Sequence, residues 1–146
     1  MADDYILATR RAILKAMKAN TRLTGFVPKA QIYPSTVPSS PPWPFTRIGS
    51  IIASPFRASG LNGSAMRVMV QGFAKDRTSA AGTVLSPAEE QVLILGGAIM
   101  ASLDGVTLDL PDGKLRLTWV QNIPSVDGDE PAAWMVTCTF RGEVCA

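Results

Sequence analysis

The sequence contains no histidine and only two cysteines, Cys138 and Cys145, among its 146 residues. The absence of histidine excludes a Ser-His-Asp triad, and two thiols are too few for a zinc or iron–sulfur centre. On one continuous strand the two cysteines would lie about 23 Å apart and point to opposite faces, so we expect no disulfide between them. Cys138 is predicted to be a small, buried apolar side chain.

Sequence motifs for catalysis are also absent. The chain has no Gly-x-Ser-x-Gly elbow and no recognisable pair of acid/base carboxylates, and Gly96-Gly97 lacks the pattern of a phosphate-binding loop. The sequence therefore predicts no catalytic residue, no cofactor and no metal site. The longest apolar run, residues 92–101, is too short to span a bilayer, and residues 1–4 lack the basic start of a secretory signal. We therefore expect no membrane association, and a cytoplasm as the location during synthesis.

Acidic residues are missing from a long part of the chain. Between Tyr5 and Lys75 there are ten basic residues and no Asp or Glu, whereas from Asp76 onward there are ten acidic and four basic residues. Such segregation is typical of a nucleic-acid-binding surface or of a self-complementary assembly. Alternatively, the two halves interleave in the fold and their charges mix.

The composition is otherwise that of a folded protein, with 47% hydrophobic and 18% charged residues. A chain of 146 residues can form one hydrophobic core, so we expect a single domain spanning residues 1–146. The mean hydropathy of +0.17 is high for a soluble monomer, which indicates that some apolar surface contacts a partner.

The first element is predicted to be a helix over residues 3–22. Ile6, Leu7, Ile13, Leu14 and Met17 recur at helical spacing, and Thr24-Gly25 offers a stop. A proline-rich connector follows over residues 28–44, where six of the 11 prolines lie. Because proline fixes φ and lacks a backbone donor, this connector should run extended along the surface.

Two strands are predicted next, over residues 45–54 and 65–75. Residues 55–64 form the loop between them, and alternation of Met66, Val68 and Val70 with polar residues predicts one apolar face. Residues 76–85 show no periodicity and are predicted to be a mobile connection.

Ser86-Pro87-Ala88-Glu89 reads as a capping box that opens a second helix, from Pro87 to about Leu103. Its apolar residues leave almost no polar face, so we expect it to be covered on most sides. Gly96-Gly97 predicts a close backbone approach at this point of the helix.

The last part of the chain is predicted to be a short strand over residues 106–110 and two longer strands joined by an acidic loop. That loop, residues 122–132, contains Asp127, Asp129 and Glu130, and we interpret it as solvated because a calcium-binding EF-hand would require flanking helices. The complete pattern predicts an α+β fold, a mostly antiparallel sheet with two helices packed on one face.

The order of these elements, with I-Y-P, then V-P, then P-F-T-R-I-G after a first helix, resembles the tail-completion or tail-terminator family of long-tailed phages and gene transfer agents. A proline-rich connector before a strand also occurs in unrelated domains. The resemblance implies a structural virion protein that forms a ring, hexameric in tail terminators, at the head-proximal end of the tail. Its implied partners are further copies of itself, the tail tube protein and head-tail connector proteins, with DNA passing through the lumen.

The resemblance carries over no catalytic or ligand-binding residue, because the family acts through surfaces. Taken with the charge asymmetry, it makes two groups of residues candidates for contacts between subunits: the basic Arg47, Arg57 and Arg67, and the acidic Asp127, Asp129 and Glu130. Two alternatives remain, another head-tail connector ring protein and a nucleic-acid-binding module that uses the basic N-terminal half.

Overall fold

The computed structural model describes residues 2–58, 61–111, 113–127 and 133–145, and for residues 2–5, 55–58, 61–63 and 145 it describes the backbone alone. Three α-helices are present in these ranges: α1 Ala2–Ala19, α2 Thr21–Phe26 and α3 Ala88–Leu103. The strands are β1 Ile32–Tyr33, β2 Phe45–Ala58, β3 Leu61–Lys75, β4 Arg77–Thr78, β5 Val84–Ser86, β6 Thr107–Leu110, β7 Gly113–Arg116, β8 Thr118–Val126 and β9 Ala133–Cys145.

Five of these strands form the main sheet, in the order β1-β2-β3-β9-β8. Only β1 pairs in parallel, with β2, and the other pairs are antiparallel. Strands β4-β5 and β6-β7 form two small separate hairpins. The predicted α+β fold with a mostly antiparallel sheet is therefore confirmed.

The core lies between one face of this sheet and the helices. Val68, Val70 and Phe140 on the sheet are fully buried, as are Ile13 of α1 and Leu95 of α3. Gly96 of α3 is closely approached, because a Cβ there would lie 3.1 Å from the Val136 side chain of β9. The close approach predicted from Gly96-Gly97 is thus found at Gly96, where the missing side chain lets α3 settle on the sheet.

The N-terminal helix is shorter than predicted. It ends at Ala19, and Asn20 then caps α2 by accepting a hydrogen bond from the Leu23 amide at 2.9 Å. Helix α2 continues through Gly25 to Phe26, so Thr24-Gly25 does not stop the helix as predicted. An Asn cap and the full burial of Leu23 and Val27 outweigh the low helix propensity of one glycine.

The first hairpin is longer than predicted. β2 continues to Ala58 and β3 begins at Leu61, with Pro55 opposite Ser64 in register, so most of the predicted loop 55–64 is strand. Proline is tolerated here because β2 is an edge strand at Pro55: β1 pairs only with Thr46 and Arg47, and β3 is the single neighbour.

Helix α3 begins at Ala88, and the predicted capping box does not form. The Ala88 amide donates to the Asp76 side chain at 2.7 Å, and the residue before the helix, Pro87, has no side-chain capping bond. Ser86 lies in β5, which pairs with β4, so residues 76–85 contain a short hairpin instead of an irregular connection. A carboxylate from a distant part of the chain replaces the local cap.

Strand β8 also runs further than expected, to Val126, and pairs with β9 from Thr118 onward. The first half of the predicted acidic loop is therefore strand. The predicted strand around Leu115 is split into β7 and β8, because β7 leaves the main sheet to pair with β6.

Candidate assembly surfaces

The main sheet has a second face that no helix covers. Strand alternation places Arg67, Met69 and Gln71 of β3 on this open face, because Met66, Val68 and Val70 point into the core. The register of β3 with β9 puts Arg67 opposite Arg141 and Met69 opposite Thr139. The open face is therefore built mainly from polar and basic residues, with apolar residues between them.

Three arginines line a pocket at one end of the open face, and the Nη2 atom of one of them, Arg116, lies near Gly105. Arg67 and Arg141 are direct cross-strand partners, and Arg116 at the end of β7 lines the same pocket of about 720 Å³. Glu143 is the one acidic residue in its lining, and none of the three arginines makes a hydrogen bond or ion pair with another described residue. Like charges directly opposite each other repel, and this arginine pocket therefore has an excess of positive charge.

An aromatic cluster lies at the other end of the open face. The rings of Phe45 and Phe73 stack with centroids 4.7 Å apart, and Trp43 meets Phe45 edge-on at 4.8 Å. Phe45 and Phe73 are only 6% and 7% exposed. Arg47 lies over the Phe73 ring at 5.6 Å and donates from Nε to the Gln71 side chain at 2.7 Å. Arg47 is thus half-buried and engaged within its own chain.

The proline-rich connector is tied to this end of the molecule by two polar side chains. Gln31 donates to the Pro44 carbonyl at 2.6 Å, and Arg10 of α1 donates to the Pro34 carbonyl at 3.0 Å. Lys75 adds a cation–π contact with Trp43, at 4.7 Å from the ring centroid. These contacts hold the connector against the fold, so it does not run free along the surface.

The outer side of α3 is apolar and exposed, which corrects the prediction that this helix is covered on most sides. Leu93 and Ile94 are 53% and 49% exposed, and Glu89 and Glu90 in the first turn are also exposed. Residues 90, 93, 94 and 97 share one side of a helix, opposite the buried Val92, Leu95 and Ile99. We call Glu89, Glu90, Leu93 and Ile94 the outer face of α3.

The predicted interface residues are not brought together. Arg67 lies in the arginine pocket, Arg47 lies in the aromatic cluster, and Arg57 lies in β2 opposite Asn62, with its side chain outside the described part. Asp127 directly follows β8, and its amide donates to the Ala133 carbonyl at 3.0 Å. Asp129 and Glu130 lie outside the described residues.

The acidic hairpin end and the arginine pocket are at opposite ends of the sheet. Ala133, where β9 begins after the acidic loop, pairs with Lys75 of β3, eight residues from Arg67. Eight strand residues span about 26 Å, so Asp127 cannot neutralise the pocket within one chain. A contact between Asp127 and Arg67 therefore requires two copies of the chain.

Two residues of the pocket, Arg116 and Arg141, were not predicted. Alternation in β9 does place Arg141 on the polar face, and this was the available signal. Whether it pairs with Arg67, 74 residues earlier in the sequence, depends on the register between β3 and β9, and that register is a tertiary property.

The thiol of Cys138 is buried and unreactive. Desolvation by burial raises its pKa to about 12, so the group stays protonated, and its sulfur lies 3.9 Å from the Gly96 carbonyl oxygen.

Within the described ranges no cluster of three or more His, Cys, Asp or Glu residues could hold a metal ion. None of the helices in those ranges is long and apolar enough to cross a membrane.

This architecture occurs in a virus-like particle. A chain in the solved structure "Virion of native gene transfer agent (GTA) particle" superposes with a TM-score of 0.76 at 17% sequence identity, covering 97% of both chains. At this identity the likeness shows a shared fold. No curated protein sequence matches the chain.

The sequence itself matches the family model "Tail completion protein gp17" over residues 11–142. The chain therefore belongs to the tail completion protein gp17 family, and the resemblance seen in its motifs is confirmed. It is a phage tail structural protein.

Proposed function

We propose that the protein is a tail terminator, or tail completion, subunit that assembles into a ring of six at the head-proximal end of a phage-type tail. In this position the ring caps the tail tube and joins it to the head, and DNA passes through its lumen. Its partners are further copies of itself, the tail tube protein and head-tail connector proteins, and the role is structural and not enzymatic.

The family match over residues 11–142 is the observation that carries this proposal. The geometry supports it, because a sheet covered on one side only leaves a broad surface for a neighbour. The outer face of α3 and Ile52 at the arginine pocket also present apolar surface. In an isolated monomer this surface is exposed to water, which is unfavourable. A ring requires a different surface at each side of the subunit, and this chain has two.

A nucleic-acid-binding role is less well supported by the same surface. Sheets that bind single strands stack bases on exposed aromatic side chains. Here Phe45 and Phe73 stack on each other and are almost fully buried, so neither ring is free for a base.

The proposal is tested with tails assembled in the absence of this protein. Added purified protein should stop tube growth at a fixed length and make those tails competent to join filled heads, as seen by negative-stain microscopy. Sedimentation and native mass spectrometry should give a closed ring of six copies on the tail or in concentrated solution. Tails that terminate and join heads equally well without the protein would contradict the proposal.

The same microscopy separates the terminator from a connector of another kind. A terminator ring binds the end of the isolated tail tube, whereas a head-side connector ring binds DNA-filled heads that lack tails. Gold-labelled protein found only on tail-less heads would favour the second assignment.

A further inference from the structure

The arginine pocket has a charge that its own chain does not balance. Arg67 and Arg141 are directly opposed on neighbouring strands, Arg116 also lines the pocket, and Glu143 supplies a single carboxylate. Ile52, which pairs with Arg67 across β2 and β3, is 48% exposed at the same place. An occupant that fits this pocket carries at least two carboxylates and some apolar surface.

The outer face of α3 has those properties. Glu89 and Glu90 extend from its first turn, and Leu93 and Ile94 follow one turn later on the same side. Neither glutamate makes an ion pair or hydrogen bond with another described residue, and both apolar side chains are about half exposed. Acidic and apolar groups therefore lie side by side on this face. The arginine pocket has the matching arrangement, with basic groups beside apolar ones.

The two surfaces lie on opposite sides of the sheet. Helix α3 packs on the core face, where Leu95 meets Gly72 and Gly96 meets Val136, whereas Arg67 and Arg141 alternate onto the open face. They cannot meet within one chain. Between two chains they can meet head to tail, and each chain still has one free surface of each kind.

We propose that the outer face of α3 of one copy docks in the arginine pocket of the next copy, so that Glu89 and Glu90 approach Arg67, Arg116 and Arg141. Contact of Leu93 and Ile94 with the apolar surface around Ile52 supplies most of the affinity, and the ion pairs set register and direction. This contact rests on the proposed function, because it names the interface that builds the ring.

The test reverses charge on each side separately. The pocket variant is Arg67→Glu/Arg141→Glu, and the helix variant is Glu89→Arg/Glu90→Arg. The control variant is Arg11→Glu/Lys15→Glu on α1, at a surface outside the proposed contact. It changes the net charge by the same amount as the pocket variant. Sedimentation velocity over a concentration series measures self-association, and circular dichroism checks that each variant is folded. The pocket and helix variants should each weaken association by about tenfold or more, and the control should not.

A mixing experiment tests the head-to-tail geometry. The pocket variant keeps an intact α3, and the helix variant keeps an intact pocket, so an equimolar mixture can alternate a native contact with a charge-swapped one, and both are complementary. We expect rings of alternating variants from the mixture and weaker self-association from each variant alone. A single chain that carries all four substitutions has both surfaces reversed and should regain ring formation.

Each other outcome overturns the inference. Wild-type rings that are unaffected by either variant, or weakened equally by the α1 control, would refute this contact while leaving the proposed ring function in place. A wild type that remains monomeric to its solubility limit, and is also absent from tails, would refute the contact and the proposed function together. A mixture that stays monomeric would refute the pairing of these two surfaces.

Discussion

Replacement of Gly142 by alanine tests how closely β9 passes the corner between β7 and β8. A Cβ at this position would lie 2.5 Å from the backbone oxygen of Arg116 and 2.6 Å from Cδ1 of Leu115, whereas ordinary contacts begin at 3.4 Å. Leu115 is fully buried, and a backbone oxygen cannot rotate away. The added methyl group therefore has to move β7 and β8 away from β9.

The expected loss follows from two opposing terms. Overpacking a well-packed site costs about 1–3 kcal/mol, and a clash with backbone belongs at the upper end. The lower entropy of alanine in the unfolded chain offsets about 0.5–1 kcal/mol. We expect the free energy of unfolding to fall by about 2 kcal/mol, which for a chain of this size lowers Tm by about 4–8 °C.

Gly25→Ala is the matched control. Gly25 lies in α2, and a Cβ there meets nothing within 4 Å. This variant should gain about 0.5–1 kcal/mol. Urea unfolding followed by far-UV circular dichroism measures both variants, at a protein concentration where sedimentation shows one oligomeric state. If Gly142→Ala is as stable as the wild type, the close approach of β9 to the β7–β8 corner is wrong.

Three further predictions concern the α3 cap, the buried thiol and the acidic loop. Asp76→Ala should lower the free energy of unfolding by about 1 kcal/mol, because the Ala88 amide loses its acceptor. Ser86→Ala should leave urea unfolding almost unchanged. The opposite ranking would mean that Ser86 caps the helix after all. Since burial raises the pKa of Cys138 to about 12, the folded state holds this proton between pH 9 and 12 while the unfolded state releases it. Above pH 9 the free energy of unfolding should therefore decrease with pH more steeply in the wild type than in Cys138→Ala, by up to about 1.4 kcal/mol per pH unit. Urea titrations at several pH values measure this, and equal pH dependence in the two proteins would contradict the burial of Cys138. Replacing Asp127, Asp129 and Glu130 by serine should change Tm by less than about 2 °C in calorimetry, because loop tips that contain glycine and proline tolerate substitution. A larger loss would show that the acidic loop contributes to folding.

Local patterns in the sequence predicted most of the elements. The alternation around Val68 and Val70 correctly placed β3 with one apolar face, and the apolar run after Ser86 correctly placed α3 to within one residue at its start. These predictions succeed because hydrophobic periodicity reports which side of an element is buried, and burial is the largest favourable term in folding. The proline-rich connector was predictable from Pro34 onward, because proline excludes helix wherever it clusters. Its first part is not an extended connector as predicted, since Lys29–Gln31 form a one-turn 3-10 helix and β1 pairs with β2.

Element ends were set by distant partners. The Asn20 cap is local, yet α2 persists through Gly25 because Leu23 and Val27 are buried in the core. The cap of α3 comes from Asp76, 12 residues upstream, and β8 extends to Val126 because β9 pairs with it. A carboxylate or a neighbouring strand brought in by the fold stabilises ends that local propensity leaves open.

The tertiary structure determines which side chains lie together on a surface of the protein. Sequence alone shows that Arg67, Arg116 and Arg141 are basic and that Leu93 and Ile94 are apolar. Only the tertiary structure decides that the register of β3 with β9 brings Arg67 opposite Arg141, and that α3 turns Leu93 and Ile94 to the outside. The physical reason is that register and helix rotation are set by packing between segments far apart in the chain, so a side chain's own neighbours in sequence do not determine what it faces.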